Sequence, residues 1–395
     1  MPQQILVISP CNKTTQALCD DLHALGYPAS CTATLAKPSS QKRRPAICIV
    51  DLQLSRDSDS DQWEAWLQDC HATRTACLAF DSSIQPERNT VARLEPLSDI
   101  LTSPHDRNLL AGKIHSLLTI RKLTRKLDAT RHQLSHYQEE LQEALASAAN
   151  IQHRLIPTRQ PSYDKLHYSW KYMPCKQVGG DLFNIVQLDE QTVMTYLLDV
   201  SGHGISSAMV TVSVHQSLSL HTGQLVKRPT DHPPFYEITS PRKILQELET
   251  EYPFERFEEF FTISYMLINP HTGQLRYCNA GHPPPLLLRH NGKVERLTAG
   301  GTIIGVGQLV DFDEGNAQLN PRDRLFMYTD GITEHLGKDD EAYGEERFLE
   351  QLLSQRDRPL DDVIRDALIA MREFGGRTLP VDDVTLIGME FSGTT

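Results

Sequence analysis

Hydrophobic and polar positions change rhythm twice along the chain. Residues 4–9 (QILVIS) and 45–52 (PAICIVDL) are short, rich in β-branched side chains and almost continuously apolar. That is the pattern of strands buried on both faces of a parallel sheet. Residues 14–25 and 62–70 carry helical periodicity, and residues 76–80 and 99–101 read as two further strands. Such alternation predicts a right-handed α/β layer structure over roughly the first 120 residues.

From Ile120 the spacing becomes alternately three and four: Ile120, Leu123, Leu127, Thr130, Leu134, Tyr137, Leu141, Ala144, Ala148, Ile151 and Leu155. No proline or glycine falls between Lys113 and Pro157. This is a coiled-coil seam, whose five heptads reach roughly 50 Å at 1.5 Å per residue. It predicts a parallel homodimer. Thr130, Tyr137 and the two alanines loosen the seam, which suits a helix that transmits a change of register. Pro157 ends it.

Beyond the proline, apolar β-rich runs at 193–198, 324–328 and 384–387 are each bordered by aspartate, and glycine recurs beside the acids. VGGDLFN carries Asp181, LLDVSGHG carries Asp199, LFMYTDGITE carries Asp330, and LPVDDVTLI carries Asp382 and Asp383. One aspartate at a strand end is commonplace; four such placements predict a shared pocket. Hard oxygen ligands without histidine or thiolate suit magnesium or manganese. Carboxylates crowded in one cleft do not all ionise without compensating cations. Between 221 and 260 the stretch KRPTDHPPFYEITSP is too polar and proline-rich for core, and 241–251 reads as a helix.

Charge and cysteine content narrow the partners. Of the 395 residues, 39 are Lys or Arg and 51 are Asp or Glu, a formal net charge of −12. This excludes a chain built to coat nucleic acid or an anionic membrane. Residues 158–395 hold 22 basic and 34 acidic residues, so the excess negative charge lies in the aspartate-bearing half. The eight cysteines form no CxxC pair and no zinc spacing, which predicts reduced thiols in a cytoplasmic protein. No apolar run approaches the roughly 20 residues of a membrane span.

The first 119 residues resemble a response-regulator receiver domain, with Asp51 at the phosphoacceptor position. The departures carry information. Ser9 and Pro10 stand where receivers hold an acidic pair for magnesium, Ser103 precedes Pro104 where the family has lysine, and the usual Thr or Ser falls at Ala79 or Phe80. Nothing then neutralises charge on a transferring phosphoryl group. The expectation is a pseudo-receiver, not phosphorylated at Asp51.

The order and wording of the aspartate motifs resemble the metal-dependent protein phosphatases (protein phosphatase 2C superfamily), in their bacterial SpoIIE/RsbU-type branch. Supporting markers are AANIQHRLIP (148–157), FFTISYMLINPHTGQLRYCNAGHPPPLLL (260–288) and GGTIIGV (300–306). The fold implied is multidomain α/β plus α+β: a receiver-like doubly wound parallel sheet (1–119), a long coiled-coil helical linker (120–157) and an αββα sandwich phosphatase (158–395). The resemblance implies two divalent cations, Mn2+ or Mg2+, with Asp199 bridging them and the backbone carbonyl of Val200 completing one site. Asp330 and Asp382 would bind the first metal, Asp181 would orient water, and Asp383 and His203 would be accessory. Gly180, Gly202 and Gly331 would let backbone approach the cluster, and Asn279 and His282 would shape a turn below it.

The activity implied is hydrolysis of phosphoserine or phosphothreonine without a covalent phosphoenzyme. Its substrate would be a regulatory phosphoprotein, an anti-sigma factor antagonist of STAS type. The receiver-like unit would act through the dimeric linker by repositioning the helical segment 206–219 beside Asp199. The alternative is a non-catalytic adaptor that binds a sigma-factor regulator.

Overall fold

A computed structural model describes residues 4–10, 12–81, 99–102, 106–157, 163, 165–202, 204–220, 224–307, 311–376 and 380–393. The chain divides into two compact units, Met1–Glu139 and Glu140–Thr395. The positions of Ser103, Pro104 and His203 lie outside the described residues.

The first unit runs β1 (Ile5–Ile8), α1 (Asn12–Ala24), β2 (Ala29–Thr32), a 3-10 turn at Pro38–Ser40, β3 (Ile47–Asp51), α2 (Gln53–Asp57), α3 (Ser60–Ala72), β4 (Ala76–Phe80) and β5 (Asp99–Leu101). The strands are parallel in the order β2-β1-β3-β4-β5, one of the common doubly wound arrangements. Alternate side chains serve opposite faces. Ile5, Val7, Ile47 and Ile49 pack with Leu18 and Leu22 of α1, while Leu6, Ile8, Cys48 and Val50 pack with Trp63 and Trp66 of α3. The half-exposed edge strand β2 has no apolar run (ASCT) to announce it.

Helix α4 (Arg107–Leu155) spans 49 residues, about 74 Å at 1.5 Å per residue. Its first turns are core: Leu110, Ile114 and Leu117 close one face of the N-terminal sheet. Thereafter the stripe of Ile120, Leu123, Leu127, Leu134, Tyr137, Leu141 and Ile151 is left 55–68% exposed. The stripe stops short of the expected last seam position, because Leu155 packs against the core of the second unit and Ile156 is buried there.

The second unit contains β6 (Leu166–Met173), β7 (Asp181–Asp189), β8 (Thr192–Val200), α5 (Ile205–Ser217), β9 (Lys227–Pro229), β10 (Tyr236–Ile238), α6 (Pro241–Glu251), α7 (Phe254–Phe257), β11 (Phe261–Ile268), β12 (Gln274–Ala280), β13 (Leu286–Leu288), β14 (Val294–Arg296), β15 (Gly300–Gly301), β16 (Gly315–Gln318), β17 (Arg324–Tyr328), α8 (Asp330–Thr333), α9 (Gly344–Ser354), α10 (Leu360–Gly375) and β18 (Val384–Phe391). One sheet is ordered β15-β12-β11-β8-β7, with β16 also on β12; the other is ordered β14-β13-β17-β18-β6.

Strand alternation sorts the unit into layers. In β8, Val193 and Leu197 face a core shared with Met327 and Ile387 of the other sheet, whereas Met194, Tyr196 and Leu198 face α5 and α6. In β17, Phe326 and Tyr328 turn outward to α9 and α10. The polar segment before α6 is not all loop: KRP and YEI pair as the short antiparallel hairpin β9-β10.

Between the sheets Phe183 is fully buried and meets Trp170 edge-on, with ring centroids 5.7 Å apart. Phe183→Ala is expected to destabilise the chain by about 3–5 kcal/mol, read as a lowered urea midpoint at unchanged slope.

Candidate metal centre

The start of β7, the end of β8, the end of β17 and the start of β18 meet at one end of the sandwich. Asp181 and Asp199 are direct cross-strand partners. The second sheet reaches the same point through Thr329 and Thr385, whose hydroxyls donate to Asp181 Oδ2 at 3.0 and 2.5 Å. Asp181 is 1% exposed, and its Oδ1 has no hydrogen-bond partner among the described residues. Asp330 opens α8, immediately after β17. Asp382 is exposed at the entrance to β18.

Asp383 does something different from what its neighbours suggest. Its side chain is buried, with Oδ1 accepting from the Cys175 N–H at 2.8 Å and Oδ2 from Gly180 N–H at 2.6 Å and Asp181 N–H at 3.4 Å. It therefore pins the turn that carries Asp181 onto the second sheet. The nearest grouping of donor atoms is Cys175, Asp382 and Asp383, all within 4.8 Å of one another. Burial, and then the charge of Asp383, push the Cys175 thiol up to about 12. A protonated thiol is a poor ligand for a hard cation.

The glycines differ in their reasons. A Cβ at Gly180 would stand 2.6 Å from the Val200 carbonyl oxygen, and one at Gly331 would stand 2.0 Å from that of Asp383. Both are close approaches of backbone to backbone. Gly202 has open space around it; what requires glycine there is φ of +77°.

Gln152 was invisible as a site residue in the sequence. It lies near the end of α4, is 4% exposed, and holds both peptide groups of Gly179: Nε2 donates to the carbonyl at 2.7 Å and Oε1 accepts the N–H at 3.1 Å. From α5, Thr211 donates to the Gly180 carbonyl at 2.7 Å. The GGD turn is thus gripped by two helices and by Asp383. The only signal for Gln152 was a polar residue inside AANIQHRLIP. Further off, Asn279 Nδ2 donates to the His282 carbonyl at 2.5 Å, and His282 Nδ1 meets the Thr262 hydroxyl at 2.7 Å. Burial depresses the His282 ring to about 3, so it is neutral and fixes this turn.

Electrostatics mark the cluster as short of positive charge. Burial, followed by the charges of Asp199 and Asp383, raises the Asp181 carboxyl well above its ordinary range. Asp199 is pushed up to about 8, by burial first and then by Asp330, Asp382 and Asp383, against a hydrogen bond with Asp181. Asp330 is pushed up to about 6 by burial, then by Glu334 and Asp382. No basic side chain figures among these causes. An orphaned buried oxygen, an all-oxygen donor set and uncompensated carboxylates fit divalent cations.

A two-sheet sandwich with carboxylates at one end is the architecture of the PP2C fold. The chain superposes on the SiaA-PP2C domain of Pseudomonas aeruginosa with a TM-score of 0.54 at 19% identity, covering 65% of this chain and 98% of that one. The sequence profile described as "Stage II sporulation protein E (SpoIIE)" matches residues 189–392, and the chain belongs to that family. It is 30% identical over 174 residues to phosphoserine phosphatase RsbP of Bacillus subtilis (strain 168), a match covering 43% of this chain and 40% of that protein. Phosphoserine phosphatase RsbU of the same organism is 24% identical over 259 residues, covering 63% of this chain and 70% of that protein.

Raised carboxyl values mean that the folded state holds protons more tightly than the unfolded chain. The contribution of these two carboxyls to the stability of the cation-free protein is therefore greatest at or below the unfolded value near 4 and falls as pH rises toward the folded values of about 6 for Asp330 and about 8 for Asp199. Thermal melts in EDTA are expected to show this fall, and Asp199→Asn to flatten it. Gln152→Ala leaves the Gly179 N–H and carbonyl buried and unpaired, a loss of about 2–4 kcal/mol. Urea unfolding checks that value.

Proposed function

We propose that the chain is a metal-dependent protein serine/threonine phosphatase acting on phosphoserine of a regulatory protein, an anti-sigma factor antagonist of STAS type. The observation that carries this reading is a run of like charges in which Asp199 raises Asp181, Asp330 and Asp382 raise Asp199, and Asp382 raises Asp330, with no basic side chain among the causes, in a member of the SpoIIE family. The two similar proteins from Bacillus subtilis are both described as phosphoserine phosphatases. We assign the phosphatase to residues 158–395, the connector to 120–157 and the receiver-like input to 1–119, and we place the protein in the cytoplasm.

In this reading two divalent cations, Mn2+ or Mg2+, would be held by Asp199, the Val200 carbonyl, Asp330 and Asp382. When bound, the cations supply a water-derived nucleophile at neutral pH and neutralise charge on the phosphoryl group. The chain's own residues do the rest. Thr329 and Thr385 occupy Asp181 Oδ2, so the free Oδ1 is the acceptor that orients water. Asp383 acts by holding the GGD turn instead of binding a cation.

Control by the first unit fits the same residues. Asp51 is fully buried and accepts from the Ser9 hydroxyl at 2.8 Å and the Gln53 N–H at 3.1 Å, which supports signalling by packing, not phosphorylation. The exposed apolar stripe of α4 supports pairing with a second copy. A shift of that helix would pull on Gly179 through Gln152 and, beside it, on the turn held by Thr211 of α5.

Phosphate release from a phosphorylated STAS-domain protein, with manganese titrated, tests the reading. Asp199→Asn is expected to lower kcat/KM by about a hundredfold or more. Equal, negligible release from both proteins would overturn it in favour of a non-catalytic adaptor.

A further inference from the structure

The first unit contains a cleft that neither the parallel sheet nor the coiled-coil seam requires. Its volume is about 550 Å3, within the range of roughly 300–1,000 Å3 usual for small-molecule sites. One wall is the C-terminal end of α3 and the entrance to β4; the other is the face of α4 just beyond its core-packed turns. Apolar surface comes from Ala76, Leu117 and Ile120.

The polar lining has one sign. Arg74, Arg121 and Arg125 converge on the cleft, and the one carboxylate there, Asp128, is already paired with Arg74. Arg121 donates through Nη1 to the carbonyls of Pro45, at 3.2 Å, and of Ala46, while its Nε is buried without a partner among the described residues. Burial, and then the neighbouring charge of Arg125, depress the Arg121 guanidinium. Two adjacent guanidiniums without a counter-charge are costly unless an anion joins them. At the rim, Arg74 holds a left-handed backbone, φ 51°, where glycine or asparagine would be cheaper.

We infer that this cleft binds a small organic phosphate with an apolar body, its dianionic head between Arg121 and Arg125 and its body against Leu117 and Ile120. Planar guanidinium forks match phosphate oxygens in pairs. The apolar wall gives no reason to hold a free phosphate ion. A ligand seated here touches both the β4 entrance and α4, so it fastens the root of the long helix to the sheet. Most of the cleft faces away from the seam: at 3.6 residues per turn, the face of Leu117, Arg121, Thr124 and Asp128 is turned roughly 110° from Leu123, Leu127 and Leu134, and Ile120 alone is shared between the seam and the cleft. The inference is independent of the phosphatase reading, since it uses none of the carboxylate centre.

Calorimetric titration of the full chain with naphthalen-1-ylphosphonate, whose C–P bond a phosphatase does not cleave, tests it in the presence of EDTA. Saturable binding at one site per chain is expected, weakened at least tenfold in Arg125→Ala and unchanged in Arg131→Ala, which lies on an exposed part of the same helix outside the cleft. Inorganic phosphate should bind at least tenfold more weakly than the phosphonate. Absence of binding at millimolar phosphonate, equal loss in the two variants, or equal affinity for inorganic phosphate would each overturn the inference.

Discussion

A buried carboxylate with one oxygen satisfied and the other free is the constraint around which the second unit is built. Asp181 belongs to one sheet, and the hydroxyls that hold its Oδ2 belong to the other. The sheets share a core along their length, but at this end they are joined by polar bonds in a place where unpaired polar atoms are expensive. The same bonds fix which oxygen of Asp181 stays free. In the proposed reading stability and chemistry are therefore set by the same three side chains, and the turn before Asp181 has to be held just as firmly. Gln152, Thr211 and Asp383 hold it, each through a peptide group of Gly179 or Gly180.

That arrangement explains why an unfavourable cluster persists. Asp199 and Asp330 carry raised proton affinities because burial and like charge act together. The cost is carried by a well-packed sandwich with outer helix layers on both sides. Local strain of this kind survives only where the surroundings over-determine it.

Much of the architecture was legible in the chain. Continuous apolar runs foretold β1, β3 and β4, and the helix expected at 241–251 is α6, with Ser240 accepting from the Lys243 N–H as its cap. The three-four spacing foretold the long helix. What escaped was whatever depends on partners distant in sequence. The β9-β10 hairpin is made of polar residues with no alternation to reveal it. The aspartates stand out because each sits beside a glycine at a strand end, but their division of labour is spatial: Asp382 and Asp383 are adjacent in sequence, one exposed and one buried with both oxygens taken by backbone N–H groups. Gln152 could not be singled out, since an amide that satisfies remote backbone leaves no pattern in a helix. At Gly202 the sequence suggests close approach of backbone to the cluster, and the structure adds a left-handed backbone, φ +77°, that itself favours glycine.

In the proposed reading the two units also differ in their need for ions. At the end of β3, Asp51 lies fully enclosed, with a hydroxyl from β1's neighbour Ser9 and the Gln53 N–H at its oxygens. Protein groups already provide what a cation would otherwise provide there. On that reading the buried Asp51 needs no divalent ion, whereas the acidic groups of the other half, Asp181, Asp199 and Asp330, stay in mutual conflict until such ions arrive. A single chain, so read, joins a body that needs no divalent ion at Asp51 to one that awaits such ions, so that a change in free manganese or magnesium would act through the second.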